Sequence, residues 1–405
     1  MISDCDLRKK EKLKNIVIYA YEHVPYYRES IKEDVYEEFL KTANIKCLPI
    51  LTKRDVISNY SRMFSDEVVL ENMLWESTSG TSGIPLKIGK TKLERSKMAL
   101  RLMRWRRDNF RIGISDAYAY FITIDTKTKF MKKNNVYYLS EIHLDDDTLE
   151  RDCEIIQQNN IVWIYSTPSV INVLRDFMCR KKILFPSVKY IELTGEYISH
   201  KDQQDLIDFF GCPIGVQYGI TEVWSVAQEC KCGELHLMED DVVLEEGDGM
   251  VYVTSLESFG MPFIRYAVDD EISNGKICLC GSDYKTINII KSRTQEYFYV
   301  GNRRLSPIML RIAINEAINE NPDIGITQYQ FVQNSVNSLH CYVGYKDSTW
   351  LTEEITVLLF HKINLLYRLP LDFKILVIKV DDFRDRIKSG KLGYFLSKIN
   401  KEFEP

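Results

Sequence analysis

Apolar residues recur along this chain in three successive textures, and each predicts a different kind of structure. Over residues 8–30 they follow a helical spacing with a mixed polar face. Thr52, after Leu48-Pro49-Ile50-Leu51, is placed to cap a short helix, and 92–108 reads as an amphipathic helix. From 117 onward the pattern alternates. Strands at 117–124, 161–165, 188–193 and 213–217 are interleaved with helices at 168–182 and 200–210. Short β-branched runs between helix-length segments predict an α/β fold with a mostly parallel sheet. From Met250 the runs shorten to strands at 250–256 and 262–266, with Gly, Asp and Asn turns between them, which suits antiparallel pairing. The C-terminal stretch predicts a helix at 307–319, strands at 327–333 and 340–345, a helix at 352–367, a strand at 373–380 and a final basic helix. That αββαβ order can enclose its own small core, which puts a domain boundary near 292–296.

Composition narrows the class. The chain has 405 residues, 45% hydrophobic and 27% charged, as in an ordinary globular protein. A net charge of −5 leaves no basic footprint, so nucleic acid is not an expected partner. The start, Met1-Ile2-Ser3-Asp4-Cys5-Asp6 followed by Arg8-Lys9-Lys10, lacks the apolar core of a signal peptide, and no apolar run reaches membrane-spanning length. The expected location is cytoplasmic, without membrane insertion. The charge balance gives no guide to oligomeric state.

Candidate chemistry gathers in four stretches. In Ser77-Thr78-Ser79-Gly80-Thr81-Ser82-Gly83, followed by Pro85, five hydroxyls and two glycines fill seven positions. Glycine admits close approach of backbone N–H groups to an anion, and hydroxyls add donors, so the run suits a phosphate cradle. A flexible Ser/Gly linker is the alternative. Gly89-Lys90-Thr91 mimics the end of a Walker A loop, but the glycine needed five places earlier is Ile84, which excludes that motif. Tyr218-Gly219-Ile220-Thr221-Glu222 follows the 213–217 strand, at the strand end where open α/β sheets bind ligands. An aromatic ring, a tight glycine, a hydroxyl and a carboxylate there could stack a base, approach a phosphate and hold Mg²⁺. Asp269-Asp270, after Phe263-Ile264-Arg265-Tyr266, is either a turn or a carboxylate that accepts ribose hydroxyls. Arg386-Ile387-Lys388-Ser389-Gly390-Lys391 is either an exposed loop or a mobile lysine offered to developing negative charge.

Ten cysteines are present, of which six (Cys5, Cys47, Cys153, Cys179, Cys212 and Cys341) are scattered. The other four form two Cys-x-Cys pairs, Cys230/Cys232 with His236 downstream, and Cys278/Cys280. Two short pairs from separate turns can supply a tetrahedral zinc site.

In this order the four stretches resemble the adenylate-forming (acyl-coenzyme A synthetase) superfamily, most closely its phenylacetate–coenzyme A ligase-like branch, which includes relatives from capsule and secondary-metabolite clusters. His23-Val24-Pro25-Tyr26-Tyr27-Arg28 and Leu48-Pro49-Ile50-Leu51-Thr52-Lys53 extend the resemblance over nearly the whole chain. It implies the adenylate-forming fold: a large N-terminal α/β domain, 1–293, with a zinc-binding insert at 230–280, and a small mobile α+β domain, 294–405. It also implies that Ser77 to Gly83 grip the ATP β- and γ-phosphates and that Gly195-Glu196 line the adenine pocket. Tyr218 and Gly219 would lie against adenine, Thr221 at the α-phosphate and Glu222 at Mg²⁺. Asp270 would bind ribose, Arg293 would sit near ribose and phosphate, Glu296 would be the hinge, and Lys391 would reach the carboxylate and α-phosphate. For zinc the branch implies Cys230, His236, Cys278 and Cys280, with Cys232 as a spare able to displace His236 or Cys230. Asp269 and Ser292 stand where the family has glycine, and Leu86 takes the usual lysine position, displacing the lysine to Lys87.

The implied activity is ATP-dependent adenylation of a carboxylic acid, aromatic if Trp224 and Phe259 shape its pocket. Acyl transfer to a thiol of coenzyme A or of a carrier protein's pantetheine follows. Two other readings stay open: transfer to an amine or sugar, and a non-catalytic ATP- or acyl-binding protein.

Overall fold

The computed structural model describes residues 4–77, 86–122, 131–141, 144–247, 250–268, 270–291, 298–301, 303–305, 307–345, 350–381 and 395–399. The chain divides into two compact units. The first comprises Met1–Ser79, Leu86–Ile114 and Gly215–Arg293; the second takes Ser115–Ile214 and Thr294–Pro405, with the short Gly80–Pro85.

In the first unit the N-terminal helical stretch is two helices, Asp4–His23 and Pro25–Ser30, where the sequence pattern suggested one. The break follows from Pro25: the residue before a proline is driven out of the helical region, and Val24 is extended at φ −119°, ψ 112°. Thr52 caps Lys53–Ser58 as expected, in a reciprocal box with Asp55. The amphipathic helix runs Lys92–Phe110, opened by the same device between Thr91 and Glu94. Strands Leu74–Ser77 and Lys87–Lys90 pair antiparallel and so flank the hydroxyl-rich segment. A run of antiparallel strands follows in the order Glu271–Asn274, Thr286–Lys291, Leu235–Leu237, Trp224–Glu229 and Ile214–Ile220. A separate three-stranded sheet joins Val242–Gly247, Met250–Ser255 and Tyr266–Val268. The strand expected at 262–266 therefore begins only at Tyr266, because Arg265 sits at φ +51°, outside the extended region.

One buried cluster holds this unit together, including Ile16, Val17, Tyr27, Phe39, Leu51, Phe263 and Ile264. Two sequence motifs meet inside it. The Tyr27 hydroxyl donates to the Pro262 carbonyl at 2.9 Å and accepts the Ile264 N–H at 3.0 Å. Arg265, buried, donates to Glu245 and to the Lys46 and Leu48 carbonyls, while the Leu51 N–H reaches the Arg265 carbonyl. A buried guanidinium needs such partners to offset its lost hydration.

The second unit holds the parallel part of the fold. Val136–Ser140, Tyr118–Ile122, Trp163–Ser166 and Tyr190–Thr194 are adjacent and parallel, with helices Asp146–Gln158 and Pro168–Lys181 between them in sequence and His200–Phe210 after the last. The expectation of a mostly parallel sheet thus holds for this unit alone; Met131–Lys133, absent from the sequence reading, pairs antiparallel at its edge. The remaining part has the sheet order Lys374–Lys379, Ser338–Tyr345, Ile326–Ser335, Phe395–Ser397, with helices Ile308–Glu320 and Thr352–Tyr367. Where a final basic helix was expected, 395–397 is a strand parallel to Ile326–Ser335, and 382–394 lie outside the described residues. Its pairing partner lies far back in sequence, which no local pattern encodes. Among the described residues no helix is long and apolar enough to cross a membrane.

Candidate active site

In the first unit the strand expected at 213–217 continues to Ile220 and turns back antiparallel into Trp224–Glu229, so Tyr218 and Gly219 lie within it. Thr221, Glu222 and Val223 form the turn, closed by Val223 N–H to the Ile220 carbonyl at 3.2 Å. Two features force its shape. Trp224 takes φ +74°, and a Cβ on Gly219 would stand 2.1 Å from the Trp224 carbonyl oxygen, so only glycine fits.

Around this turn the polar groups are buried and paired. The Tyr218 hydroxyl donates to Asp270 Oδ2 at 2.8 Å, with both residues buried. The Tyr266 hydroxyl donates to Glu222 Oε1 at 2.8 Å, and among the described residues Oε2 of Glu222 receives no hydrogen bond. Lys90 donates to the Thr221 carbonyl at 2.6 Å and to Glu76 Oε2 at 3.3 Å. Burial lowers the pKa of its ammonium, against the opposing pull of Glu76 and Glu222. The result is a buried hairpin end that brings together an aromatic ring and two carboxylates, Asp270 and Glu222.

The cysteine region forms a second constellation in the same unit. One ligand atom from each of Cys230, His236, Cys278 and Cys280 lies within 4.8 Å of the others. The Cys230 and Cys278 sulfurs are 3.5 Å apart, and Cys280 Sγ is 3.4 Å from His236 Nε2. Zinc–sulfur bonds of about 2.3 Å give tetrahedral edges of roughly 3.7 Å, close to both separations. His236 Nδ1 pairs with the Tyr284 carbonyl at 2.8 Å, which turns Nε2 toward the cluster. Backbone N–H groups of Cys232, Cys280 and Ser282 point at the Cys230, Cys278 and Cys280 sulfurs. Both Cys-x-Cys turns close on a left-handed glycine, Gly233 at φ +81° and Gly281 at φ +91°. Cys232 is exposed and outside the group of four, which leaves His236 in its place.

No protein-family model matches the chain. A curated relative, phenylacetate–coenzyme A ligase of Thermus thermophilus, is 23% identical over 337 residues, 76% of each chain. Among solved structures, 2-hydroxyisobutyryl-CoA ligase in complex with 2-HIB-AMP and CoA in the thioesterification state matches with TM-score 0.65 at 15% identity, covering 97% of this chain and 89% of that one. The same ligase in the postadenylation state, with R3-HIB-AMP, gives 0.61 at 14% over the same shares. The fold is that of the adenylate-forming enzymes. The resemblance to the phenylacetate–coenzyme A ligase-like branch is borne out by the Thermus thermophilus relative.

On this adenylate-forming fold the expected site residues distribute unevenly. Tyr218, Gly219, Thr221, Glu222 and Asp270 gather at one hairpin end of the first unit, and Ser77 ends the strand that leads into the hydroxyl-rich segment. Gly195, at φ +78°, and Glu196 belong to the second unit, where the Glu196 carboxylate accepts the Ser169 N–H at 3.0 Å and its hydroxyl at 2.7 Å. Ser169 lies in the first turn of Pro168–Lys181, so Glu196 caps that helix. Thr78, Ser79, Gly80, Thr81, Ser82, Gly83, Arg293, Glu296 and Lys391 lie outside the described residues, as do Asp269 and Ser292. The sequence reading missed Lys90, Glu76 and the role of Tyr266. The local signal for Lys90 is its place directly after apolar Ile88-Gly89.

Proposed function

We propose that this chain joins a carboxylic acid to Mg·ATP, releasing pyrophosphate, and then passes the acyl group to a thiol of coenzyme A or of a carrier protein's pantetheine. The observation that carries the reading is the hairpin end, where a buried tyrosine–aspartate pair and a tyrosine-oriented glutamate flank a glycine that nothing larger can replace. The relatives support it: one is a phenylacetate–coenzyme A ligase, and the matching 2-hydroxyisobutyryl-CoA ligase holds R3-HIB-AMP in one structure and 2-HIB-AMP with CoA in another.

In this reading Tyr218 lies against adenine and Asp270 accepts the ribose hydroxyls. Thr221 contacts the α-phosphate and Glu222 holds Mg²⁺ through the oxygen that Tyr266 leaves open. Ser77 to Gly83 grip the β- and γ-phosphates, Gly195-Glu196 line the adenine side, and Arg293 approaches ribose and phosphate. An acid carboxylate oxygen bonds to the α-phosphorus as the bond to pyrophosphate breaks. Lys391 neutralises charge on the attacking and bridging oxygens. The thiolate then attacks the acyl carbon and AMP leaves with the electron pair. The reading divides the chain into a large part, 1–293, and a small mobile part, 294–405, hinged at Glu296. It is a cytoplasmic enzyme, and Cys230, His236, Cys278 and Cys280 hold a structural zinc whose four protein ligands leave no open position for chemistry.

The test is a pyrophosphate-release screen over aryl, aliphatic and hydroxy acids, each with and without coenzyme A. Acid-dependent pyrophosphate is expected, with a thioester forming when coenzyme A is added. No pyrophosphate with any acid would defeat the reading.

A further inference from the structure

Lys90 ends the strand Lys87–Lys90 and is 1% exposed. An ammonium at that depth is costly to keep charged unless its donors are met, and here they reach two different elements. One donor goes to the Thr221 carbonyl at 2.6 Å, the other to Glu76 Oε2 at 3.3 Å. The second oxygen of Glu76 takes Arg95 Nη1 at 3.0 Å, and the Arg95 guanidinium lies 5.5 Å from the centroid of the Trp224 ring. Thr221 and Trp224 bracket the turn that carries Glu222. Arg95 of the helix Lys92–Phe110, paired with Glu76, thus covers the Trp224 end, and the Thr221 end is held directly from the strand pair Leu74–Ser77 and Lys87–Lys90. In that pair Ser77 opposes Lys87, so it also fixes the two ends of the chain that spans the hydroxyl-rich segment.

We propose that Lys90 is a positioning residue for adenylation, locking the Thr221-Glu222 turn to the strand pair that flanks the hydroxyl-rich segment. The Glu222 carboxylate and the strand ends Ser77 and Lys87 are then held in one frame. The inference rests on the adenylation reading above. Because the contact at the turn is a backbone carbonyl, no side-chain change at 221 reproduces it, and only Lys90 or its partner Glu76 can be varied. The charged groups acting on the ammonium are Glu76 of the strand Leu74–Ser77 and Glu222 of the turn on one side of the balance, and Arg95 of the helix Lys92–Phe110 on the other.

The experiment compares wild type with Lys90→Met, which keeps the stem and removes the donors, and with Lys90→Arg, which keeps a donor. Pyrophosphate exchange is followed against Mg²⁺ and against acid, with thermal unfolding of each protein. Loosening the turn by about 1 Å should lower kcat by roughly 100-fold. The half-saturating Mg²⁺ concentration should rise, KM for the acid should stay unchanged, and Lys90→Arg should recover part of the loss. In combination with Glu222→Gln, Lys90→Met should add little further loss, because both act through one carboxylate. A purely structural lysine would move only the melting temperature. Wild-type kcat and Mg²⁺ dependence in folded Lys90→Met overturns the role of Lys90 and leaves adenylation standing, whereas a wild-type protein silent with every acid overturns adenylation itself. If Lys90→Met does not fold, Glu76→Gln decides: a raised Mg²⁺ requirement supports the proposal, and an unaltered one overturns it.

Discussion

Replacing Gly219 with alanine tests the hairpin end directly. The added methyl carbon would lie 2.1 Å from the Trp224 carbonyl oxygen and 3.2 Å from the carbonyl carbon. Both atoms are backbone in the paired strand, so no side chain can swing away. The strands must part by about 0.9 Å to restore the 3.0 Å that real Cβ contacts respect. That opening falls between the pairs Gly219↔Ser225 and Ile220↔Trp224, directly beside the turn carrying Thr221 and Glu222. Overpacking of this kind costs about 1–3 kcal/mol of stability. A displacement near 1 Å of reacting groups costs on the order of 100-fold in rate. Thermal unfolding and pyrophosphate release, measured on one preparation, should show a melting temperature lower by about 5 °C and adenylation reduced by about two decades. Wild-type values for both would refute the claim that this turn is sterically fixed.

Further outcomes are expected elsewhere. Asp152 is fully buried, its Oδ1 paired with Arg151 while Oδ2 meets no donor among the described residues, and burial raises its pKa from 3.8 to about 6. The folded value lies above the unfolded one, so this contribution to stability is full below pH 3.8 and fades as pH rises through about 6, by about 3 kcal/mol in all. Asp152→Asn should therefore gain on wild type by that amount between pH 4 and 7 in urea unfolding; parallel pH profiles would contradict it. Metal analysis should find one zinc per chain, lost in Cys278→Ser and retained in Cys232→Ser. Lys391→Ala should lose two to three decades of adenylation, worth about 3–4 kcal/mol, while ATP binding measured by calorimetry stays near wild type.

What could be read from sequence alone had causes confined to a few neighbouring residues. Thr52 announces a helix start because the cap and its partner Asp55 lie within one turn. The helices His200–Phe210 and Thr352–Tyr367 match their apolar periodicity end to end, since burial of one face is written along the helix itself. Motif order carried the fold in the same way, as a linear signal.

Long-range pairing decided the rest. Tyr218 with Asp270 and Tyr266 with Glu222 are separated by 52 and 44 residues, and only the packed sheets bring each hydroxyl to its carboxylate. Cys232 stayed a spare able to displace His236 or Cys230 until the fold left it exposed and turned the imidazole toward the other cysteines through Tyr284. Lys90 looked like part of a failed phosphate motif. Burying it beneath the carbonyl of Thr221, 131 residues away, made it the link between two parts of the candidate site. Local propensity sets elements and caps, but which buried charge meets which partner is fixed only when distant segments exclude water together.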